Sequence, residues 1–250
     1  MTGKKLGALA VLGAVREVRG GAADARPLAI AGASELVPVL AAELRAGGDA
    51  AAVVESRVEG IAALIWVGRP DEAQLRTANR AGVPIVAVTD DEVVPYVLAA
   101  NVVHVPPGSG FPVEKIAAAL ASAMGDGAIP LAARLPVLRG AVCEELIARF
   151  ARRNAVIAAA IFVPGFDMPV LTLNEIRLVL RLALAHGRPL DRSRGVELAG
   201  VVGAGFGFRT LARELLDLVP VAGWLVKSSI AYGGTRAIGE ASVRYFQTLR

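Results

Sequence analysis

The sequence predicts an α/β fold: a small doubly wound, mostly parallel sheet over residues 26–128, followed by an all-α helical hairpin bundle over residues 135–250. Three observations predict it. Short apolar runs without polar alternation recur between Pro27 and Pro106 and are separated by helical stretches, the pattern of parallel strands covered on both faces. After Pro130 the strand signals vanish and long helical runs joined by proline and glycine elbows take over. Finally, 54% of the residues are hydrophobic and 27 are glycine. Counting Gly and leaving out Tyr, the apolar share is about 64%, against roughly 45–50% in ordinary globular domains. This excess excludes a disordered chain.

Residues 1–25 read as an N-terminal amphipathic segment: the apolar run Leu6–Val15 follows Lys4 and Lys5 and gives way to Arg16, Glu17 and Arg19. The run is short for a secretory signal and lacks a small-residue cleavage site. Pro27–Gly32 then reads as a buried strand and Ser34–Ala46 as a helix with Ser34 as its N-cap. Strands follow at Ala51–Glu55, Ile61–Gly68, Val83–Asp90 and Asn101–Pro106, with helices at Asp71–Ala81 and Pro112–Met124. Gly125–Gly127 punctuates the end of this domain. Helices are next expected over Arg139–Ile161, Val170–His186, Val196–Leu218 and Trp224–Leu249. Pro164, Gly165 and Asp167 form the first elbow, with Asp167 as a helix cap, and Pro220 breaks the chain before the last helix. Gly187 suits a C-cap, with His186 facing the carbonyls of that helix end.

No segment reads as a clean transmembrane helix, which needs about 18 apolar residues. The charge-free stretch Val93–Val113 is broken by four prolines, and the apolar runs of the helical half stop at Asp167 and Arg209. The net charge of +4 is unevenly divided. Residues 1–134 hold 12 Lys and Arg against 14 Asp and Glu, whereas residues 135–250 hold 15 against 9. The single cysteine, Cys143, excludes an internal disulfide, and with only His104 and His186 beside it no zinc-ligand spacing exists.

The loop after the first strand is where a doubly wound sheet binds its ligand. Placed on Gly32, the phosphate-binding pattern GxxxxGK[ST] would need glycine, lysine and a hydroxyl where Val37, Pro38 and Val39 stand, so no nucleotide is expected. Thr89, Asp90 and Asp91 lie where a guanine-reading loop would fall, but read as a strand end with a polar turn. The order of elements nonetheless resembles a degenerate G domain without nucleotide chemistry. Gly203, Gly205 and Gly207 miss the dinucleotide fingerprint because Phe208 stands at its last glycine. Gly203 and Gly207 instead share a helix face suited to close backbone approach. Cys143 reads as buried structure, and the arginine pairs Arg152/Arg153 and Arg192/Arg194, with Trp224, are candidate contacts to anionic lipid headgroups or a protein partner. The few aromatics do not interleave with basic residues, so no nucleic acid is expected.

The helical half, LPVLRGAVCEELIARFARRNAVIAAAIFVPGFDMPVLTLNEIRLVLRLALAHG and VVGAGFGFRTLARELLDLVPVAGWLVKSSIAYGGTRAIGEASVRYF, resembles the GTPase-associated domain of unknown function of YcjF-like bacterial membrane proteins. The resemblance covers about residues 135–248 and rests on the elbow at Pro164, Gly165 and Asp167, then Asn174, Arg177 and His186–Gly187, and the Pro220 elbow. It implies association with the cytoplasmic face of a bacterial inner membrane. It carries over no catalytic residue, cofactor or metal. The resulting expectation is a non-catalytic, membrane-associated protein with a pseudo-GTPase-like domain. The alternatives are a soluble homo-oligomeric interaction module and a small-molecule-binding or nucleotide-binding α/β enzyme.

Overall fold

The computed structural model describes residues 13–18, 20, 24–57, 59–106, 108–160, 168–188, 190 and 223–248. The chain divides into two compact units, Ala22–Glu145 and a second made of Met1–Gly21 with Leu146–Arg250. The first is built on five parallel strands: β1 (Leu28–Gly32), β2 (Val53–Glu55), β3 (Ala63–Val67), β4 (Ile85–Thr89) and β5 (Val102–His104). Their order, β2-β1-β3-β4-β5, is the flavodoxin-like way of winding such a sheet, with its switch point between β1 and β3. The degenerate G-domain expectation rested on the order of elements along the chain. Strand-helix alternation does not by itself specify which strand pairs with which.

The strands are buried on both faces because every second side chain turns each way. One face places Ala29, Ala31, Leu64, Trp66 and Ala87 against Leu75 and Ala78 of α2 (Glu72–Arg80) and against Ile61 and Val94. Asp71 caps α2, accepting from the N–H groups of Ala73 and Gln74 at 2.9 and 3.2 Å. The other helices of this unit are α1 (Val37–Arg45), α3 (Val113–Met124) and α4 (Ile129–Arg134).

Several boundaries differ from the expectation, and two of them have a clear backbone origin. α1 begins at Val37, not Ser34: the chain leaves β1 through Gly32 at φ +122°, turns over Ser34–Leu36 and enters the helix with Pro38 in its first turn. Leu36 is the N-cap without a side-chain bond, while the Ser34 hydroxyl donates to Glu35 at 3.1 Å. Proline is tolerated there because its missing N–H would be an orphan anyway. The glycine pair at 125–127 does not end the domain's helical run either. It forms a 3-10 turn, Gly125–Ala128, so Val113–Arg134 continues and, among the described residues, is long and apolar enough to cross a membrane. Yet 56% of its apolar window is buried, with Ile116, Ala117, Leu120 and Ala121 inside, as in the core helix of a packed domain.

The helical unit contains α6 (Met168–Ala185) and α7 (Gly223–Thr248), and α5 (Pro136–Ala160) runs from the first unit into it. Ala158, Leu171 and Ala231 pack together, one from each helix, with Ile157 beside them. α6 ends in a Schellman motif: Gly187 at φ +71° lets the N–H groups of Gly187 and Arg188 reach Leu184 O at 2.8 Å and Ala183 O at 2.9 Å.

Candidate functional site

In a sheet of this winding, the crevice at the carboxyl ends of β1 and β3 is the first place to look for a ligand. Backbone closes it. The Ala33 N–H donates to Val67 O at 2.9 Å, and a Cβ on Gly32 would collide with that same carbonyl oxygen. The following turn presents Glu35, whose carboxylate would repel a phosphate. At the end of β4 the Asp91 N–H donates to the buried Thr89 hydroxyl at 3.2 Å, and that hydroxyl lies 3.2 Å from Asp91 Oδ2: a self-contained polar turn. Among the described residues no group of three His, Cys, Asp or Glu side chains is placed to hold a metal.

The other concentration of polar groups lies inside the helical unit. Asn174 Nδ2 of α6 donates to Asn154 Oδ1 of α5 at 2.9 Å, and Asn154 Nδ2 donates to Thr235 Oγ1 of α7 at 2.9 Å. The Thr235 hydroxyl donates its proton back to Ala231 O at 2.8 Å, with Glu175 Oε1 a longer alternative at 3.5 Å. Glu175 is itself only 3% exposed. A chain of bonds thus ties three apolar helices at one level, and its buried members meet the demand that such groups be partnered.

One turn along α6, Arg177 and Arg181 share a face and converge on Glu17 of the helical residues 13–18. Arg177 donates through Nε and Nη2 to Glu17 Oε2 at 3.1 and 2.9 Å, while Arg181 Nη2 approaches Oε1 at 3.5 Å. The Arg181 guanidinium lies 5.4 Å from the Phe150 ring centroid, so its charge rests on an aromatic face. Residues 13–18 bury Ala14 and Val18, four apart, and leave Arg16 and Glu17 exposed, as an amphipathic segment should.

The sequence-derived site residues fall into four groups. Asn174 and Arg177 belong to the two polar clusters just described. Arg152 and Arg153 are exposed on α5, one turn before Val156, a large apolar residue that is 68% exposed. Trp224 lies in the first turn of α7. Pro164, Gly165, Asp167, Arg192, Arg194, Gly203, Gly207 and Pro220 lie outside the described residues. The sequence reading did not single out Glu17, Asn154, Glu175 or Thr235. The available signal for Asn154 was its isolation at the head of the apolar run NAVIAAAIF, since a lone amide on an apolar helix needs a buried partner.

Cys143 is buried, and burial pushes its thiol up to about 12, with Arg139 pulling weakly the other way. A nucleophile needs the thiolate, so this side chain is inert at neutral pH. His186 Nδ1 lies 2.8 Å from Leu182 O, which makes that nitrogen the donor, and its ring sits 5.6 Å from the Phe246 ring.

The chain is therefore an α/β protein with a flavodoxin-like parallel sheet and a helical C-terminal region laced by buried polar groups. Over 118 residues it is 31% identical to magnetosome membrane protein 22 of Magnetospirillum gryphiswaldense, a stretch covering 44% of this chain and 60% of that protein. The chain thus spans less than two thirds of the curated relative it matches. No protein-family model matches it, and neither does any solved structure.

Proposed function

We propose that this is a non-catalytic, membrane-associated protein in which a nucleotide-free, pseudo-GTPase-like α/β domain is joined to a helical unit that rests on an anionic membrane surface. The observation that carries the reading is the likeness to a magnetosome membrane protein. The chain's own chemistry agrees with it: the basic half is the helical half, and α5 exposes Arg152 and Arg153 beside Val156, a pairing of cation and apolar side chain suited to the headgroup boundary. α6 is a poor candidate for deep insertion, because Leu178, Val179, Leu182 and Ala183 are already buried within the protein. Docking on the surface therefore fits better than spanning. In this reading the helical half is a YcjF-like domain at the cytoplasmic face of a bacterial inner membrane.

The test is co-sedimentation of the full chain with phosphatidylglycerol vesicles and with neutral phosphatidylcholine vesicles. Binding to the anionic vesicles that weakens with salt is expected, as is a several-fold loss in Arg152→Gln/Arg153→Gln, since each cation near a charged surface is worth about 1 kcal/mol. A chain that stays in the supernatant at low salt with both vesicles would overturn the reading. A second reading, a soluble interaction module, draws on Val93 and Leu98, large apolar side chains exposed in the loop after β4. It expects a concentration-dependent mass in light scattering that Val93→Ser/Leu98→Ser abolishes.

A further inference from the structure

The packing of the helical unit fixes the direction of each helix. Ala158, Leu171 and Ala231 meet at one level and Asn154, Asn174 and Thr235 at the next. Farther along, Ile147 faces Gly239 and the His186 ring sits by that of Phe246. α6 and α7 therefore run parallel to each other and antiparallel to α5. It follows that the Ala160 end of α5, the Met168 start of α6 and the Gly223 start of α7 all lie on the same side of the polar level. That level also divides the charges. On the Ala160 side, α5 carries none from Asn154 onward, α6 none from Met168 to Asn174, and α7 only Lys227 before Thr235. On the other side stand Arg152 and Arg153 of α5, Arg177 and Arg181 of α6, and Arg236 and Glu240 of α7. Helices of a bundle in water separate polar from apolar residues around their axes. Here the separation also runs along three axes and changes over at one height.

We infer that the helical unit meets an anionic lipid bilayer end-on, through the tip where α5 ends and α6 and α7 begin. Val156 and Val170 then lie at the boundary between headgroups and acyl chains, with Arg152 and Arg153 at headgroup level. The inference rests on the membrane reading above and adds the orientation. Among the described residues, Val156 and Val170 are the two large apolar side chains left exposed in this unit, and both are on the charge-free side. Arg153, itself exposed, is about 5 Å from Val156 along the helix axis, so the cation reaches phosphates while the apolar side chain meets acyl chains. Trp224, in the first turn of α7, is at the same end and is of the residue type enriched at membrane–water interfaces. The depth is limited. α5 advances only about 9 Å from Asn154 to Ala160, against a hydrocarbon core of about 30 Å. Asp167 in the sequence between α5 and α6, and Lys227, would be costly within hydrocarbon, so the tip stops at the interface.

The experiment places an environment-sensitive nitrobenzoxadiazole label on the full chain at Val156→Cys, Val170→Cys or Gln247→Cys. Gln247 is exposed near the far end of α7, on the order of 24 Å along the helix from Ala231, and serves as the reference. Cys143 is buried and stays unlabelled, and Cys143→Ala supplies a second background. Thermal melts establish that each labelled chain is folded. With phosphatidylglycerol vesicles, the label at 156 or 170 is expected to shift to the blue and brighten several-fold, and to be quenched by lipid spin-labelled near the headgroup, while the label at 247 keeps its aqueous spectrum. A shift without quenching by spin-labelled lipid would mean that protein covers the tip and overturns the inference. So does a label at 247 that responds as strongly as the others, which would lay the unit on its side. If the chain sediments with phosphatidylglycerol vesicles and the labels at 156 and 170 both stay aqueous, the orientation falls and the membrane reading survives. If the chain sediments with neither phosphatidylglycerol nor phosphatidylcholine vesicles, both fall.

Discussion

Gly239 of α7 lies directly against Ile147 of α5: a Cβ there would stand 2.6 Å from Ile147 Cγ1 and 3.0 Å from its Cδ1. Gly233 on the same helix is exposed, with nothing within 4 Å of the same position. The two therefore respond oppositely to alanine. At Gly233, Ala removes the cost of glycine in a helix and is expected to stabilise the protein by up to about 1 kcal/mol. At Gly239 the same gain is outweighed by displacing Ile147, an overpacking that costs roughly 1–3 kcal/mol, so a net loss is expected. Urea denaturation followed by circular dichroism checks both, and equal effects at the two positions would refute the packing argument. Cys143 gives a residue-scale pH prediction. Below the ordinary thiol pKa of 9.0 the group is protonated whether the chain is folded or not, so its contribution to stability is fully present. Between about 9 and about 12 only the unfolded chain releases the proton, and stability falls with rising pH by at most about 1.4 kcal/mol per pH unit. Cys143→Ala should flatten that slope. Burial of Cys143 was legible from its place on an amphipathic helix, whereas the Gly239 contact was not, because one sequence gives no azimuth of α7 relative to α5.

At the scale of elements, the strands, α2 and α3 lie within a few residues of where hydrophobic runs and helical stretches put them, since burial of a parallel sheet leaves an unambiguous trace in sequence. The misplaced features are those where backbone geometry outweighs composition. Ser34 has the right chemistry for an N-cap, yet Gly32 at φ +122° delays α1 until Val37. The glycines at 125 and 127 look like a break, yet a single 3-10 turn carries the helix through them. The buried polar chain was half legible: Asn174 stood out, but its partner Asn154 is 20 residues away and Asn154's own partner Thr235 is 81 residues further along from Asn154, both on other helices, and the bonds follow only from how these pack. This chain predicts an element-scale coupling. Asn154→Ala leaves Asn174 without its acceptor and Thr235 without its incoming donor, so a loss of roughly 1–3 kcal/mol is expected. In a double-mutant cycle with Thr235→Val, the two losses should be less than additive by at least about 0.5 kcal/mol. Strict additivity would mean that the helices are held by their apolar contacts alone.

For the molecule as a whole, the division into Ala22–Glu145 and the helical unit sets how it should unfold. The α/β unit owns a core around its sheet that includes Leu28, Ile30, Leu64 and Ile65, while the described helices of the second unit bury Leu171, Leu178, Val179 and Leu182 with a polar chain beside them. Two cores of different make-up in one chain are expected to depart from a single two-state transition. Substitutions should therefore sort by unit. Gly32→Ala places a Cβ against the Val67 carbonyl at a backbone angle that side chains rarely adopt, and should depress the α/β transition strongly, by about 3 kcal/mol or more. Asn154→Ala should depress the helical transition alone. α5 is the complication, because one continuous helix contributes its first ten residues to one unit and the remainder to the other. When the helical unit melts, the stretch from Leu146 onward loses its packing, but Pro136–Glu145 belongs to the α/β unit and is expected to stay folded with it. Melting should then proceed from the Ala160 end of α5 and stop near Glu145. Hydrogen exchange on the full chain at a temperature between the two calorimetric transitions reads this directly: amides near Val142 should stay protected while those near Ala151 exchange. Simultaneous loss of protection along all of α5, with a single transition that both substitutions lower, would show that the two units fold as one.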